Sequence, residues 1–470
     1  MRPNLFLGLL LVCASTQAQV TLSGTFLNAP PGAEVDLTCV NNTIEYTRVA
    51  VAHAALDAQG HFTLHFPWTE AKEAQLQLAE QQTSLFLSPG DSLVLRCDYA
   101  HFDSTLHYAG RGAAENNYMA ADVLGNFDRA AAEGTALIKD AGRFTLFVDS
   151  IEQVNQALLQ AQDTTAWSAA FRQHVRTEVK YRYVYPRCMY KIGYDQEKNA
   201  FVMKDMPAGY FDFLQRVDLD DQAAYDNDSY SIALDDYVAE DPRGKLNVPD
   251  SLTDDQEMAL RVKHGYTFRQ KLFKGKVRDH QLTKYVRDQL GAFANQPDLL
   301  AWLINRYKAD CTTPDYVAII DGLYATAQRL MPGKPAPEFT LVDTAGESIS
   351  LADLKGKVIF MDYWATWCGP CIVAMPKVKA LEEQFKHRAD LVFLKVNVND
   401  DRARWMAYLR KNTPGGLQLF ADERQSAELR QAYNFNGIPH FVLVGKDGKL
   451  VDANTYPELA GDKIAKALEQ

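Results

Sequence analysis

The 470-residue sequence predicts a multidomain chain: an N-terminal antiparallel β domain, an α-helical middle domain and a C-terminal α/β domain. Three observations predict it. Residues 19–110 carry short runs in which apolar and polar residues alternate, the period of strands with one buried face. Residues 111–330 carry apolar residues at three- and four-residue spacing over long windows, the period of helices. From 331 to 470 strand-like apolar runs alternate with helical windows, as in a sheet covered by helices.

Taken in order, the chain opens on Arg2 and the apolar run Leu5 to Val12, which is too short for a permanent membrane span. Thr16-Gln17-Ala18 offers small residues for cleavage, so residues 1–18 are expected to be a signal peptide, cut after Ala18. Lipoprotein anchoring through Cys13 is the rival, and Val12 stands where that route wants a small residue. The β domain, 19–110, is read from Val20–Phe26, Glu34–Val40, His61–Phe66 and Ser92–Cys97, with the turn Leu87–Asp91 between the last two; a small sandwich or barrel is expected. The helical domain, 111–330, is read from windows 115–138, 145–162, 167–185, 254–274, 280–292, 297–308 and 314–330. Thr313 is expected to cap the last of these, with Pro314 at its first position.

A linker follows, Met331 to Glu338, stiffened by Pro332, Pro335 and Pro337. The strands expected beyond it are Val358–Trp364, Leu391–Val398, Phe441–Val444 and one from Leu450; the helices begin after Cys371 and at 401–411, 425–433 and 461–469. The composition, 47% hydrophobic and 23% charged, is globular. A formal net charge of −11 without any basic block argues against a nucleic-acid partner.

Chemistry concentrates at Trp367-Cys368-Gly369-Pro370-Cys371. Cys368 falls where strand turns into helix, and free N–H groups at a helix N-terminus favour a thiolate. Cys371 lies one turn on, within disulfide reach, so the pair can cycle between dithiol and disulfide. A zinc site needs four ligands, and the sequence offers no second C-x-x-C and no H-x3–5-H. A structural disulfide closing so short a loop would remove little unfolded-state entropy. Of the other cysteines, Cys39, Cys97, Cys188 and Cys311 are expected to be buried free thiols.

Residues 331–470 resemble the thioredoxin superfamily, and within it the exported TlpA/ResA-like thiol–disulfide oxidoreductases. The resemblance rests on Pro332–Phe339, Leu351–Lys357, Trp364–Cys371 and Gly437-Ile438-Pro439. The three-part layout is similar to multidomain members common in Bacteroidota. The resemblance implies a thioredoxin fold and roles residue by residue. Asp362, six before Cys368, would be the buried carboxylate that takes a proton from Cys371. Lys395 would pair with that acid, Pro376 would kink the active-site helix, and Pro439 would be the cis-proline beside the disulfide. His440 departs from the threonine of many relatives; it is expected to face solvent, the alternative being an imidazole that titrates near the site.

The expected function is that of an exported, periplasmic thiol–disulfide oxidoreductase acting on protein disulfides through Cys368 and Cys371, with no separate cofactor. A membrane thiol would donate electrons, and residues 19–330 would choose the partner or build a homodimer. Two alternatives stand. A thiol peroxidase wants Pro-x-x-x-Thr-x-x-Cys, whereas Thr366 lies only two residues before Cys368 and the proline is absent. A non-catalytic scaffold would use the last domain for docking, which the intact Cys-Gly-Pro-Cys argues against.

Overall fold

The computed structural model describes residues 18–40, 42–46, 48–125, 137–195, 200–293, 296–435 and 437–470. Residues 1–17, Cys13 among them, and 126–136 of the expected window 115–138 lie outside the described residues. The chain forms two compact units, divided at Lys245 and Leu246.

In the first unit β1 (Gln19–Leu27), β2 (Glu34–Val40), β3 (Arg48–Ala55), β4 (His61–Pro67), β5 (Lys72–Leu78), β6 (Gln81–Leu87) and β7 (Ser92–Asp98) precede a short helix, α1 (Phe102–Thr105), and β8 (His107–Arg111). They form two four-stranded sheets, β4-β1-β7-β8 and β3-β2-β5-β6. β1 pairs antiparallel with β4 but parallel with β7. Strict alternation buries one face of β4 and β7, and Leu22, Leu37, Leu64, Leu76, Leu85 and Leu95 meet in one core. Edge strands invite pairing with other chains. Here α2 (Ala113–Gly125) closes one edge of each sheet with consecutive asparagines. Asn116 exchanges two hydrogen bonds with the backbone of Phe86 in β6, both 2.9 Å. Asn117 does the same for Tyr108 in β8, both 2.8 Å.

The unit continues with α3 (Ala141–Ala161), α4 (Ala169–Tyr181), α5 (Val184–Met189), the hairpin β9 (Ile192–Asp195) and β10 (Ala200–Met203), and α6 (Asp228–Glu240). The sequence reading passed over this hairpin, whose apolar runs are short, and over α6, although Tyr230, Ala233, Leu234, Tyr237 and Val238 stand at helical spacing.

The second unit begins with α7 (Asp254–Leu272), α8 (Gly275–Ala292), α9 (Pro297–Asp310) and α10 (Pro314–Arg329), packed around Val262, Leu282, Val286, Leu303 and Ile320. The compact division therefore falls inside the region read from sequence as one helical domain, 111–330. Thr313 precedes α10 as expected, but its side chain makes no cap hydrogen bond. The hydroxyl donates instead to the buried carboxylate of Asp279 at 2.9 Å, alongside the backbone N–H and hydroxyl of Thr312. A buried carboxylate is costly to leave short of donors, so it outcompetes the helix end.

The rest of this unit is a seven-stranded mixed sheet of order β12-β11-β15-β14-β13-β16-β17: β11 (Thr340–Asp343), β12 (Ser348–Ser350), β13 (Val358–Trp364), β14 (Leu391–Asn397), β15 (Leu417–Phe420), β16 (His440–Val444) and β17 (Leu450–Thr455). β13, β14 and β15 run parallel. Helices α11 (Gly369–Gln384), α12 (Arg402–Asn412), α13 (Glu423–Tyr433) and α14 (Pro457–Glu469) complete it. Every residue of β13 is buried. Val378 and Leu381 of α11 with Ile464 of α14 cover one face, and Leu429 and Tyr433 of α13 the other. Burial on both faces is why this strand reads as a continuous apolar run rather than an alternation.

Candidate active site

The site is built where β13 ends. The turn Ala365–Trp367 is pinned from the loop after β14. Thr366 donates its backbone N–H and its hydroxyl to Asp400, at 2.6 and 3.0 Å, and Trp367 donates its indole N–H to the Asn399 carbonyl at 2.8 Å. Held this way, the chain enters α11 with Cys368 at the N-cap position. Its Sγ accepts the Cys371 backbone N–H at 3.1 Å. A sulfur there faces the unpaired donors and the positive end of the helix, which favour negative charge. Pro370 sits in the first helical turn, where no N–H is required. Pro376 lies inside the helix.

Cys368 and Cys371 form a disulfide, their Cα atoms 5.3 Å apart. Both are buried, in a shell that includes Trp364, Trp405 and Phe420, while Trp367 beside them is 55% exposed. The Ile438–Pro439 peptide bond is cis, and the Ile438 carbonyl oxygen lies 3.6 Å from Cys368 Sγ. Ile438 and Pro439 also wall a cavity of about 520 Å³ with Leu290 of α8, Leu323 and Ala327 of α10, and Phe435. The last helices of the expected middle domain thus reach the loop beside the disulfide.

Asp362 lies on β13, 3% exposed, with Lys395 opposite it on β14. Burial pushes its carboxyl up to about 7; Lys395 pulls the other way and Glu382 adds to the rise. The resemblance paired Lys395 with Asp362. The structure gives the Lys395 ion pair to Glu382 of α11, Nζ to Oε1 2.9 Å, as a charge contact rather than an aligned hydrogen bond. The reason is reach: α11 lays Glu382 over the face that Lys395 enters. Sequence reasoning passed over Glu382 and Asp400. Glu382 looks like one of two surface glutamates late in a helix. Asp400 sits in a run of polar residues whose fold-back onto Thr366 no spacing rule announces.

His440 does not face solvent. It is 8% exposed, its ring stacked on Phe435 at 4.7 Å, and burial pushes it down to about 4, so the imidazole is neutral near pH 7. Cys39, Cys97, Cys188 and Cys311 are free and buried. Burial pushes all four thiols up, Cys97 to about 11. They lack the helix-end donors that surround Cys368.

With this geometry in view, comparison with known proteins is specific. Residues 331–469 match the Redoxin family. The thiol–disulfide oxidoreductase ResA of Bacillus anthracis is 28% identical over 152 residues, which are 32% of this chain and 82% of that protein. ResA of Bacillus subtilis (strain 168) is 29% identical over 137 residues, 29% of this chain and 74% of that protein. Among solved structures, the thioredoxin domain of a thiol–disulfide oxidoreductase from Bacteroides vulgatus is 27% identical; the match covers 29% of this chain and 95% of that one, with a TM-score of 0.26.

Proposed function

Because the C-terminal third of this chain is a TlpA/ResA-like member of the thioredoxin superfamily and a thiol–disulfide oxidoreductase, we propose that it is an exported reductase of protein disulfides working through Cys368 and Cys371. One observation carries the assignment of roles: a cysteine pair bonded at a helix N-terminus, with Cys368 Sγ on the Cys371 N–H.

In the reduced protein the Cys368 thiolate attacks one sulfur of the substrate disulfide. The substrate S–S bond breaks, one substrate thiolate leaves, and a mixed disulfide forms. Cys371 then loses its proton to Asp362 and attacks Cys368 Sγ. The mixed disulfide breaks, and the second substrate thiolate leaves and takes up a proton. Two electrons have passed from the protein dithiol to the substrate. A buried carboxyl near 7 suits this task, since a base works best when its pKa lies near ambient pH. Pro439, beside Ile438, shapes the surface over which the substrate cysteine approaches, and Lys395 moderates the charge on Asp362.

The remaining parts of the reading concern place and partners. Arg2, the apolar run to Val12 and Ala18 support export to the periplasm by a cleaved signal peptide. No helix among the described residues is long and apolar enough to cross a membrane. The proposed partners are protein disulfides, a membrane thiol that restores the dithiol and, through residues 19–330, a second copy of the chain or the substrate protein.

The test is insulin reduction with dithiothreitol as donor, coupled to trapping. Wild type is expected to accelerate insulin precipitation. Cys371→Ser is expected to lose turnover by at least about a thousandfold and to accumulate Cys368 mixed disulfides in a periplasmic extract. Trapping through Cys188 or Cys311, or turnover surviving in Cys368→Ser, would sink the assignment.

A further inference from the structure

The trio Asp362, Lys395 and Glu382 is arranged in an order that the proposed reaction does not by itself require. Lys395 is 2% exposed and faces Asp362 across the β13–β14 pair, yet its ion-pair partner is Glu382. The other elements on this face bring no charge to Asp362. β16 sets Phe441 opposite it, and α14 adds Ala460, Ile464, Ala467 and Leu468. The charged groups that act on Asp362 are therefore Lys395 from β14 and Glu382 from α11.

The space that holds Glu382 is also built. Gly415 and Gly416 precede β15, and a Cβ on Gly415 would stand 2.5 Å from Glu382 Oε2. Gly416 would bring a Cβ to 3.4 Å of Oε1. Gly415 leaves room for a carboxylate that reaches back to Lys395, whereas Gly416 serves a left-handed turn against the Phe393 carbonyl, 2.6 Å from where its Cβ would stand. The Glu382 side chain is 17% exposed and borders a surface hollow of about 330 Å³, while the Lys395 side chain is only 3% exposed.

We propose that Glu382 is a positioning residue: by holding the Lys395 ammonium toward itself it withholds that cation from Asp362 and keeps the Asp362 carboxylate basic enough to accept the Cys371 proton. The inference rests on the reading of Asp362 as the base in resolution. Removing the Glu382 charge has two effects of one sign. A negative neighbour disappears, and Lys395 is released to turn to Asp362. Both favour the ionised Asp362 and lower its proton affinity. Removing Lys395 does the reverse, because the nearby cation is lost and Glu382 is left facing Asp362 unneutralised. A residue that merely packed would not give opposite signs.

The test follows the carboxyl carbon of Asp362 by 13C NMR in the full oxidised chain, its resonance assigned by its loss in Asp362→Asn, together with single-turnover resolution of a mixed disulfide against pH. Glu382→Gln is expected to lower the Asp362 midpoint, and the acid limb of the resolution rate, by about one pH unit. Lys395→Met is expected to raise both by a similar amount. Gly415→Ala, which crowds Glu382 without touching its charge, is expected to shift them the same way as Glu382→Gln but less. It carries the test should a charge variant fail to fold. Unmoved midpoints, or shifts of one sign in Glu382→Gln and Lys395→Met, overturn the inference. Opposite NMR shifts with unmoved kinetics uphold the hold of Glu382 on Asp362 and remove the base role, so the two failures are separable.

Discussion

Asp362 and His440 lie one step apart across the β13–β16 pair, Asp362 opposite Phe441 and His440 opposite Tyr363. Successive residues of a strand point to opposite faces, so the two titratable side chains are set back to back. Burial pushes each toward its neutral form, Asp362 up to about 7 and His440 down to about 4. The faces then diverge. Asp362 keeps Lys395 and Glu382 for neighbours, and its midpoint falls where a proton can be exchanged at neutral pH. His440 has the rings of Phe435 and Tyr363; the Ala453 backbone and the Asp452 charge offset its burial only in part, and its midpoint stays well below neutral pH. The lesson is that desolvation alone does not make a working acid or base. Both groups keep a charge nearby; what differs is that burial carries a carboxyl toward neutral pH and an imidazole away from it.

The sharpest way to break this comparison is at Asp362. Asp362→Asn is expected to slow resolution of the mixed disulfide about a hundredfold at pH 7 while leaving the first attack by Cys368 within a few-fold, read by rapid-mixing kinetics. Equal slowing of both steps, or of neither, would erase the distinction between the faces.

Stability gives a second reading with the sign fixed in advance. A carboxyl raised from its ordinary range to about 7 contributes stability that is full below pH 4 and is lost as pH rises through 7. Asp362→Asn is therefore expected to make the oxidised protein more stable than wild type at pH 8 by roughly 4 kcal/mol, with the gain vanishing near pH 4 in urea titrations. His440 runs the other way. A histidine depressed to about 4 contributes stability that is present above pH 6.5 and lost as pH falls toward 4. His440→Phe is expected to remove roughly 2–3 kcal/mol of that acid sensitivity while changing turnover at pH 7 by less than about threefold. Parallel pH–stability curves for wild type and variant would show that His440 is not the neutral group described.

The smallest effect expected on that face is at Tyr433, whose hydroxyl donates to the Pro337 carbonyl at 2.7 Å and fastens the linker to the sheet. Tyr433→Phe should cost about 1 kcal/mol in the same titrations. A loss several times larger would mean that the hydroxyl does more than hold the linker.

Much of the Asp362 face was legible in the sequence, and little of the His440 face. Cys368 and Cys371 were read from the strand-turn-helix order, Asp362 from the family resemblance six residues before Cys368, and the three-part fold class was visible in the strand and helix periods. Lys395 was found through the resemblance but not its partner, because Glu382 of α11 reaches it only in three dimensions. His440 packs against Phe435 and Tyr363, neither of which a local pattern links to it. Thr313 carried a correct helix-start signal, yet its hydroxyl went to Asp279, more than thirty residues earlier. The β9–β10 hairpin was missed because its runs are short; α6 carried a helical period, Tyr230, Ala233, Leu234, Tyr237 and Val238, that went unread.

The parallel pairing of β1 with β7 has a consequence for the order of assembly. Leu22 stands beside Leu93, so the middle of the β4-β1-β7-β8 sheet joins segments some seventy residues apart. β1 can meet β4 early, but its other edge has no partner until residues 92–98 join the sheet. Contacts of such long sequence separation form slowly, and an open strand edge attracts other chains meanwhile. Mature-chain fragments ending between residues 70 and 90 should thus aggregate on refolding, and extension through β8 should relieve this.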